Sequence, residues 1–229
     1  MTNLIFTLLL LAIMISACNN GDNGNRQIPD GFGYVHKAIP DANYDIRYFT
    51  DDNFVGAPVD GYLAPVAILT DEALEALKKA ADELRGRGYG IIVFDGYRPQ
   101  KAVDHFVRWA RDPSDTLTRQ KYYPEVDKAD LFTKGYIAER SGHTRGSTID
   151  LSLYDLETGS EVDMGSGFDL FGPPSHHDSG LVTPEQAANR ILLKKTMERH
   201  GFLPYSREWW HYRLADEPWP DTFFDFDVQ

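Results

Sequence analysis

Cysteine is all but missing from this chain: of 229 residues, only Cys18 carries a thiol. No disulfide can close within it, and no multi-cysteine zinc site is available, so any metal chemistry falls to oxygen and nitrogen ligands. Positive charge is also scarce. Lys and Arg number 23 against 35 Asp and Glu, a formal net charge of −12. No basic stripe interrupts the acidity, and phosphate binding needs clustered Lys and Arg, so a nucleic-acid partner is excluded. Solubility is the ordinary reading of such an excess of acid. There is no internal repeat, no second linker and no HExxH zinc motif. Nor is there an apolar run of the ~20 residues that a membrane-spanning helix needs.

What is present begins with a leader. Met1 to Ala17 contains no charged side chain, and Leu4 to Ile15 is almost wholly apolar, with the length of a signal-peptide core. It ends in Ile15-Ser16-Ala17-Cys18, which resembles the lipobox of bacterial lipoproteins, where the cysteine becomes the lipidated N-terminus. Its n-region departs from that pattern in having only the α-amino group as positive charge. Asn19 to Arg26 is polar, Gly-rich and aperiodic, the composition of a flexible tether. The expected organisation is a lipoprotein-type signal peptide over 1–17, a tether over 18–27 and one domain over 28–229. Lipid at Cys18 would anchor that domain to a bacterial membrane on its extracytoplasmic side, in the periplasm or at the cell surface.

Within the domain, Ala73, Leu74, Leu77, Ala80, Ala81 and Leu84 recur at helical spacing between Thr70 and Arg87. Thr70 can cap this helix, Asp71 and Glu72 suit its first turn, and Gly86 and Gly88 end it. Tyr89 to Phe94 reads as a buried strand entering the loop Asp95-Gly96-Tyr97-Arg98-Pro99. Pro99 suits the first position of a second helix running to about Ala110. Thr148 to Tyr154 alternates like a strand. Thr183-Pro184-Glu185-Gln186 has the form of a capping box opening a helix that closes before Gly201. Glu208 to Leu214 is strand-like in composition. Helices and strands without a regular βαβ alternation predict an α+β fold, a single domain with a small, largely antiparallel sheet flanked by helices.

Two segments carry candidate chemistry. In Ser141 through Asp150, His143 and Asp150 would lie roughly 23 Å apart on one straight strand and about 10 Å apart on one helix. Ligands of one metal lie within ~4 Å of each other. The segment must therefore double back, with Gly142 and Gly146 giving the freedom, His143 on a turn and Asp150 on the strand after it. In Glu208-Trp209-Trp210-His211, a carboxylate and an imidazole sit close in sequence, so one can ligate while the other works on water. Two histidines and an aspartate with an open fourth position suit catalytic zinc. Taken alone, a His near an Asp is more often an ordinary surface pair, Arg98 before Pro99 an ordinary turn residue, and Trp209 and Trp210 core packing. His176-His177 reads as part of a polar loop rather than a second metal site.

Together these blocks resemble the D-alanyl-D-alanine dipeptidases, a family within the wider D-Ala-D-Ala metallopeptidase and hedgehog-like fold group. The shared blocks are Tyr44 to Tyr48, Asp52-Asn53-Phe54, Pro58 to Tyr62, Asp95 to Pro99, Ser141 to Leu153, Asp163-Met164-Gly165, Phe168-Asp169 and Glu208 to Tyr212, in family order. The resemblance implies one Zn²⁺ per chain on His143, Asp150 and His211. It implies Glu208 as general base and Arg98 as the residue stabilising the transition state. Tyr48, Ser141 and Asp169 would contact the substrate's amino end and backbone, and the substrate would be D-Ala-D-Ala or a related small D-amino-acid peptide. Gly142 departs from the pattern, standing where the best-known member has serine.

Two rivals stand beside a dipeptidase. One is a peptidoglycan D,D- or L,D-carboxypeptidase or endopeptidase of the same fold group. The other is a non-enzymatic lipoprotein with a structural zinc, against which Glu208 and Arg98 speak, because a closed structural site needs no base. For an exported dipeptidase the expected role is cell-wall peptide turnover or scavenging rather than glycopeptide resistance.

Overall fold

The computed structural model describes residues 28–229. The expected signal peptide, Cys18 and the tether lie outside the described residues. Seven strands and five helices follow in the order β1 (Phe32–Tyr34), α1 (Val35–Ala38), β2 (Asn43–Tyr44), β3 (Ile68–Thr70), α2 (Asp71–Arg85), β4 (Tyr89–Asp95), α3 (Gln100–Arg111), α4 (Arg119–Tyr122), β5 (Thr148–Asp155), α5 (Pro184–Arg199), β6 (Phe202–Tyr205) and β7 (Glu208–Leu214). The main sheet has the order β2-β4-β5-β7-β6, antiparallel at every junction except the parallel β2–β4 pair. β1 and β3 form a separate antiparallel pair. The fold is α+β with a largely antiparallel sheet, and no described helix is long and apolar enough to cross a membrane.

The helices form where capping and periodicity agree. Thr70 Oγ accepts from Ala73 N at the head of α2, and Ala73, Leu77, Ala80 and Leu84 are buried along its inner face. Thr183 and Gln186 complete the reciprocal capping box of α5, with Pro184 at its first turn. The start of α3 differs from expectation. Pro99 is the N-cap, with an extended ψ of 153°, and the helix begins at Gln100. The first turn is closed from outside, where Lys101 N donates to Asp225 Oδ1 and Gln100 N to the Phe224 carbonyl. β5 departs from alternation too: Thr148 to Leu153 are all buried, because β5 is the central strand and both of its faces are covered.

The C-terminal segment straps the domain. Trp219, Phe224 and Phe226 pack around Phe32, and Phe226 stacks on Tyr97 with ring centroids 3.9 Å apart. A second aromatic cluster joins Tyr48, Phe54, Phe106, Trp109 and Phe171 beside α3. These two clusters flank the end of the sheet at which the polar candidates meet.

Candidate metal centre

Three strands lay the floor of the site. Asp95 of β4 pairs with Asp150 of β5, and Asp150 pairs with His211 of β7. Directly opposed residues share one face of a sheet with Cβ atoms roughly 4.5–5.5 Å apart, so this register alone aligns two carboxylates and an imidazole in one row. Asp95 joins the row through a register shift after Val93. A second shift, where Pro204 opposes Tyr212 but Tyr205 opposes Glu208, bows out Trp209 to His211. Residues three apart on a regular strand face opposite ways. The bulge turns Glu208 onto the same side as His211, and its Oε2 lies 3.6 Å from His211 Nδ1.

His143 arrives from a turn. Residues Gly142–Arg145 form a 3-10 turn capped by Ser141, whose Oγ accepts from His143 N at 3.2 Å. The chain reverses at Gly146, whose φ is +82° and where a Cβ would stand 2.3 Å from the Phe32 ring. The reversal rests on Gly146. Gly142 sits inside the turn without a positive φ, and a Cβ there would lie 3.0 Å from Thr148 Oγ1.

The three candidate ligands converge. Their ligand atoms all lie within 4.8 Å of one another. His143 Nε2 is 3.2 Å from His211 Nδ1 and 3.3 Å from Asp150 Oδ2, and His211 Nδ1 is 3.0 Å from Asp150 Oδ1. Donors bound tetrahedrally at ~2 Å to one ion would stand ~3.3 Å apart. His143 Nδ1–H donates to the Gly96 carbonyl at 2.7 Å, which turns the Nε2 lone pair inward. Asp150 Oδ1 is buried and accepts no hydrogen bond, for the His211 contact lacks hydrogen-bonding geometry. An inward lone pair, an unsatisfied carboxylate oxygen and a mixed nitrogen and oxygen set fit a divalent zinc.

Burial sets the electrostatics. It works to raise Asp150, but His143 and His211 hold that carboxyl well below the usual carboxylate range. Burial pushes Glu208 up to about 7, against the nearby His211 and Arg98. Asp169 is raised well above its ordinary value by burial, although the Tyr48 hydroxyl donates to it at 2.8 Å. Asp169 is also the single non-glycine residue with positive φ among the described residues, at 61°, a strained conformation that directs its carboxylate toward Tyr48.

Arg98 reaches the row from the loop after β4. Its guanidinium donates to Asp95 through Nε at 3.0 Å and lies 3.7 Å from Asp150 Oδ2. It stacks over the rings of Tyr48 and Phe106. Around this floor lies a cavity of about 290 Å³, whose lining includes Tyr48, Arg98, Ser141, His143, Asp150, Asp169, Glu208 and His211. Its volume is at the small end of the ~300–1,000 Å³ usual for ligand pockets. Every candidate named from the sequence inside the described residues lines it. Trp209 and Trp210 are buried packing, and His176 pairs with Tyr136 rather than with a second metal cluster.

Asp95 and Tyr62 stood within the family blocks without a role of their own, and Arg140 was not singled out from the sequence. Asp95 accepts from the Tyr62 hydroxyl at 2.6 Å as well as from Arg98, and its Oδ2 is 3.5 Å from His143 Nδ1. Its only signal was the spacing Asp95-Gly96-Tyr97-Arg98. Arg140 lines the cavity three residues before His143.

Comparison with known proteins identifies the family. Residues 30–229 match the peptidase M15 model, described as D-Ala-D-Ala dipeptidase. A D-alanyl-D-alanine dipeptidase of Enterococcus faecalis is 49% identical over 87% of this chain and 98% of its own. One from Streptomyces coelicolor is 47% identical over 86% of this chain and 98% of its own. A more distant one from Escherichia coli is 34% identical over 77% of this chain and 80% of its own. With the match spanning the whole described domain, the chain belongs to the D-Ala-D-Ala dipeptidase family of peptidases.

Proposed function

We propose that this protein is a zinc-dependent dipeptidase that hydrolyses D-alanyl-D-alanine to two D-alanines. The observation that carries the reading is the convergence of His143, Asp150 and His211, with Glu208 beside them in a small polar cavity. Those three residues would hold the zinc ion, which when bound would supply an acidified water and a Lewis acid for a peptide carbonyl. Glu208 accepts the proton of the attacking water and delivers it to the leaving amine. A carboxyl poised near 7 can do both. The Arg98 guanidinium, fixed by Asp95, faces the charge that grows on the carbonyl oxygen. Asp169 and the Tyr48 hydroxyl take the substrate's ammonium group, whose arrival favours the ionised carboxylate that burial otherwise opposes. Ser141 holds the His143 turn at the cavity wall.

The buried Asp169 carboxyl beside the Tyr48 hydroxyl favours a substrate with a free ammonium group, which a dipeptide has and the terminal pair of a longer stem peptide lacks. The relatives' names point the same way. The fitting role is turnover or scavenging of wall-derived dipeptide. The test is release of D-alanine from D-Ala-D-Ala and from a pentapeptide ending in the same pair, by metal-loaded protein with and without chelator. Dipeptide hydrolysis that chelation abolishes is expected, and preference for the pentapeptide would overturn the reading. Glu208→Ala should remove turnover, by ~10³-fold or more, while zinc stays near one per chain. Loss of zinc in that variant would make Glu208 a ligand instead.

A further inference from the structure

A dipeptide is a zwitterion, and a cavity that buries it must answer both charges. Resting on the dipeptidase reading, the acidic end of the site is accounted for by Asp169. The carboxylate end needs a cation. Among the described residues lining the cavity the guanidinium groups are Arg98 and Arg140. Arg98 is committed: it is ion-paired with Asp95 at 2.9 Å and faces Asp150. Arg140 has no such partner, and its guanidinium rests only on the face of Phe223, 4.8 Å from the ring centroid.

Its backbone is nonetheless well placed. Gln100 Nε2 donates to the carbonyl of the preceding Glu139 at 3.1 Å, and the following Ser141 caps the turn that carries His143. Beneath the guanidinium, Phe223 is held in the C-terminal strap, where Phe224 N donates to the Thr144 carbonyl. An exposed arginine whose anchor points are fixed and whose donors are free is pre-organised for a planar anion. We propose that Arg140 receives the carboxylate of the substrate and so makes a free C-terminus a requirement of the enzyme.

The experiment compares D-Ala-D-Ala with its C-terminal amide on zinc-loaded wild-type protein, Arg140→Gln and Arg140→Lys. The wild type should favour the acid over the amide. In Arg140→Gln, KM for the acid should rise ~10–100-fold with kcat within a few-fold, and the acid-to-amide ratio of kcat/KM should collapse toward one. Arg140→Lys should keep part of the preference, since the charge survives without the planar fork. An unchanged ratio in Arg140→Gln, or equal losses on acid and amide, would overturn the assignment and leave the dipeptidase reading standing. A wild type inert to both substrates would overturn that reading, and this inference with it.

Discussion

Asp95 shows how much a single side chain can organise without itself being a candidate ligand. Fully buried, it accepts from the Tyr62 hydroxyl and from Arg98, and it stands 3.5 Å from His143 Nδ1. Burial raises its carboxyl above the ordinary range, against the pull of Arg98 and His143. Asp95→Asn would keep the shape and remove the charge that orients Arg98. We expect kcat to fall ~10–100-fold, the usual cost of losing an orienting partner of this kind, with zinc content near one per chain and little change in KM. Steady-state kinetics with metal analysis checks this, and an undiminished kcat would show that Arg98 holds its position unaided. His143, Asp150, Glu208 and His211 were legible as residues because imidazole and carboxylate in short blocks are chemically conspicuous. Asp95 stood only as the first residue of the Asp95–Pro99 block, without a role, because its importance comes from a sheet register that local sequence does not announce.

At the scale of elements, irregularities rather than regular structure build the site. Two register shifts bring Asp95 and Glu208 onto the working face, and one left-handed glycine returns the His143 turn to β5. Gly146→Ala places a methyl group against the Phe32 ring in a conformation that L-residues avoid. It should destabilise the fold by about 2 kcal/mol and weaken zinc binding through displacement of His143. Urea titration of the chelator-treated protein, with a competitive zinc titration, reads both. A loss of stability below about 0.5 kcal/mol would mean that the turn has room to relax. The long helices α2 and α5 were legible from a 3.6-residue period with caps at the expected ends. β1, β2 and β3 were not, since two or three residues carry no period. The start of α3 was misplaced by one residue because its first turn is closed by the distant tail, a contact absent from local sequence.

Across the whole molecule, packing imposes costs that pH can expose. His177 is buried, neither ring nitrogen has a hydrogen-bond partner, and it lies edge-on to Tyr212. Burial pushes its pKa down to about 4, helped by Lys194 and Arg190 of α5. The unfolded chain therefore binds this proton first. Stability is unaffected above the unfolded value near 6.5 and is lost as pH falls from there toward 4. Between pH 7.5 and 5 this one group should cost about 2 kcal/mol. His177→Leu in chelator-treated protein should shrink the wild-type loss over that interval by about that amount in urea titrations. An unchanged loss would show that water or a rearrangement already solvates the protonated ring.

The chain on its own determined the fold class, the long helices and, through blocks that match in order, the family and the candidate ligand set the resemblance implies, because periodicity, capping and motif order are properties that sequence preserves. Tertiary structure alone decided which carboxylate orients Arg98, how Glu208 turns to face His211, and that Arg140 is left with its donors free beside the cavity. Those outcomes depend on strand register, bulges and the path of the C-terminal strap, where residues distant in sequence are brought within a few ångströms by burial of the aromatic clusters around them.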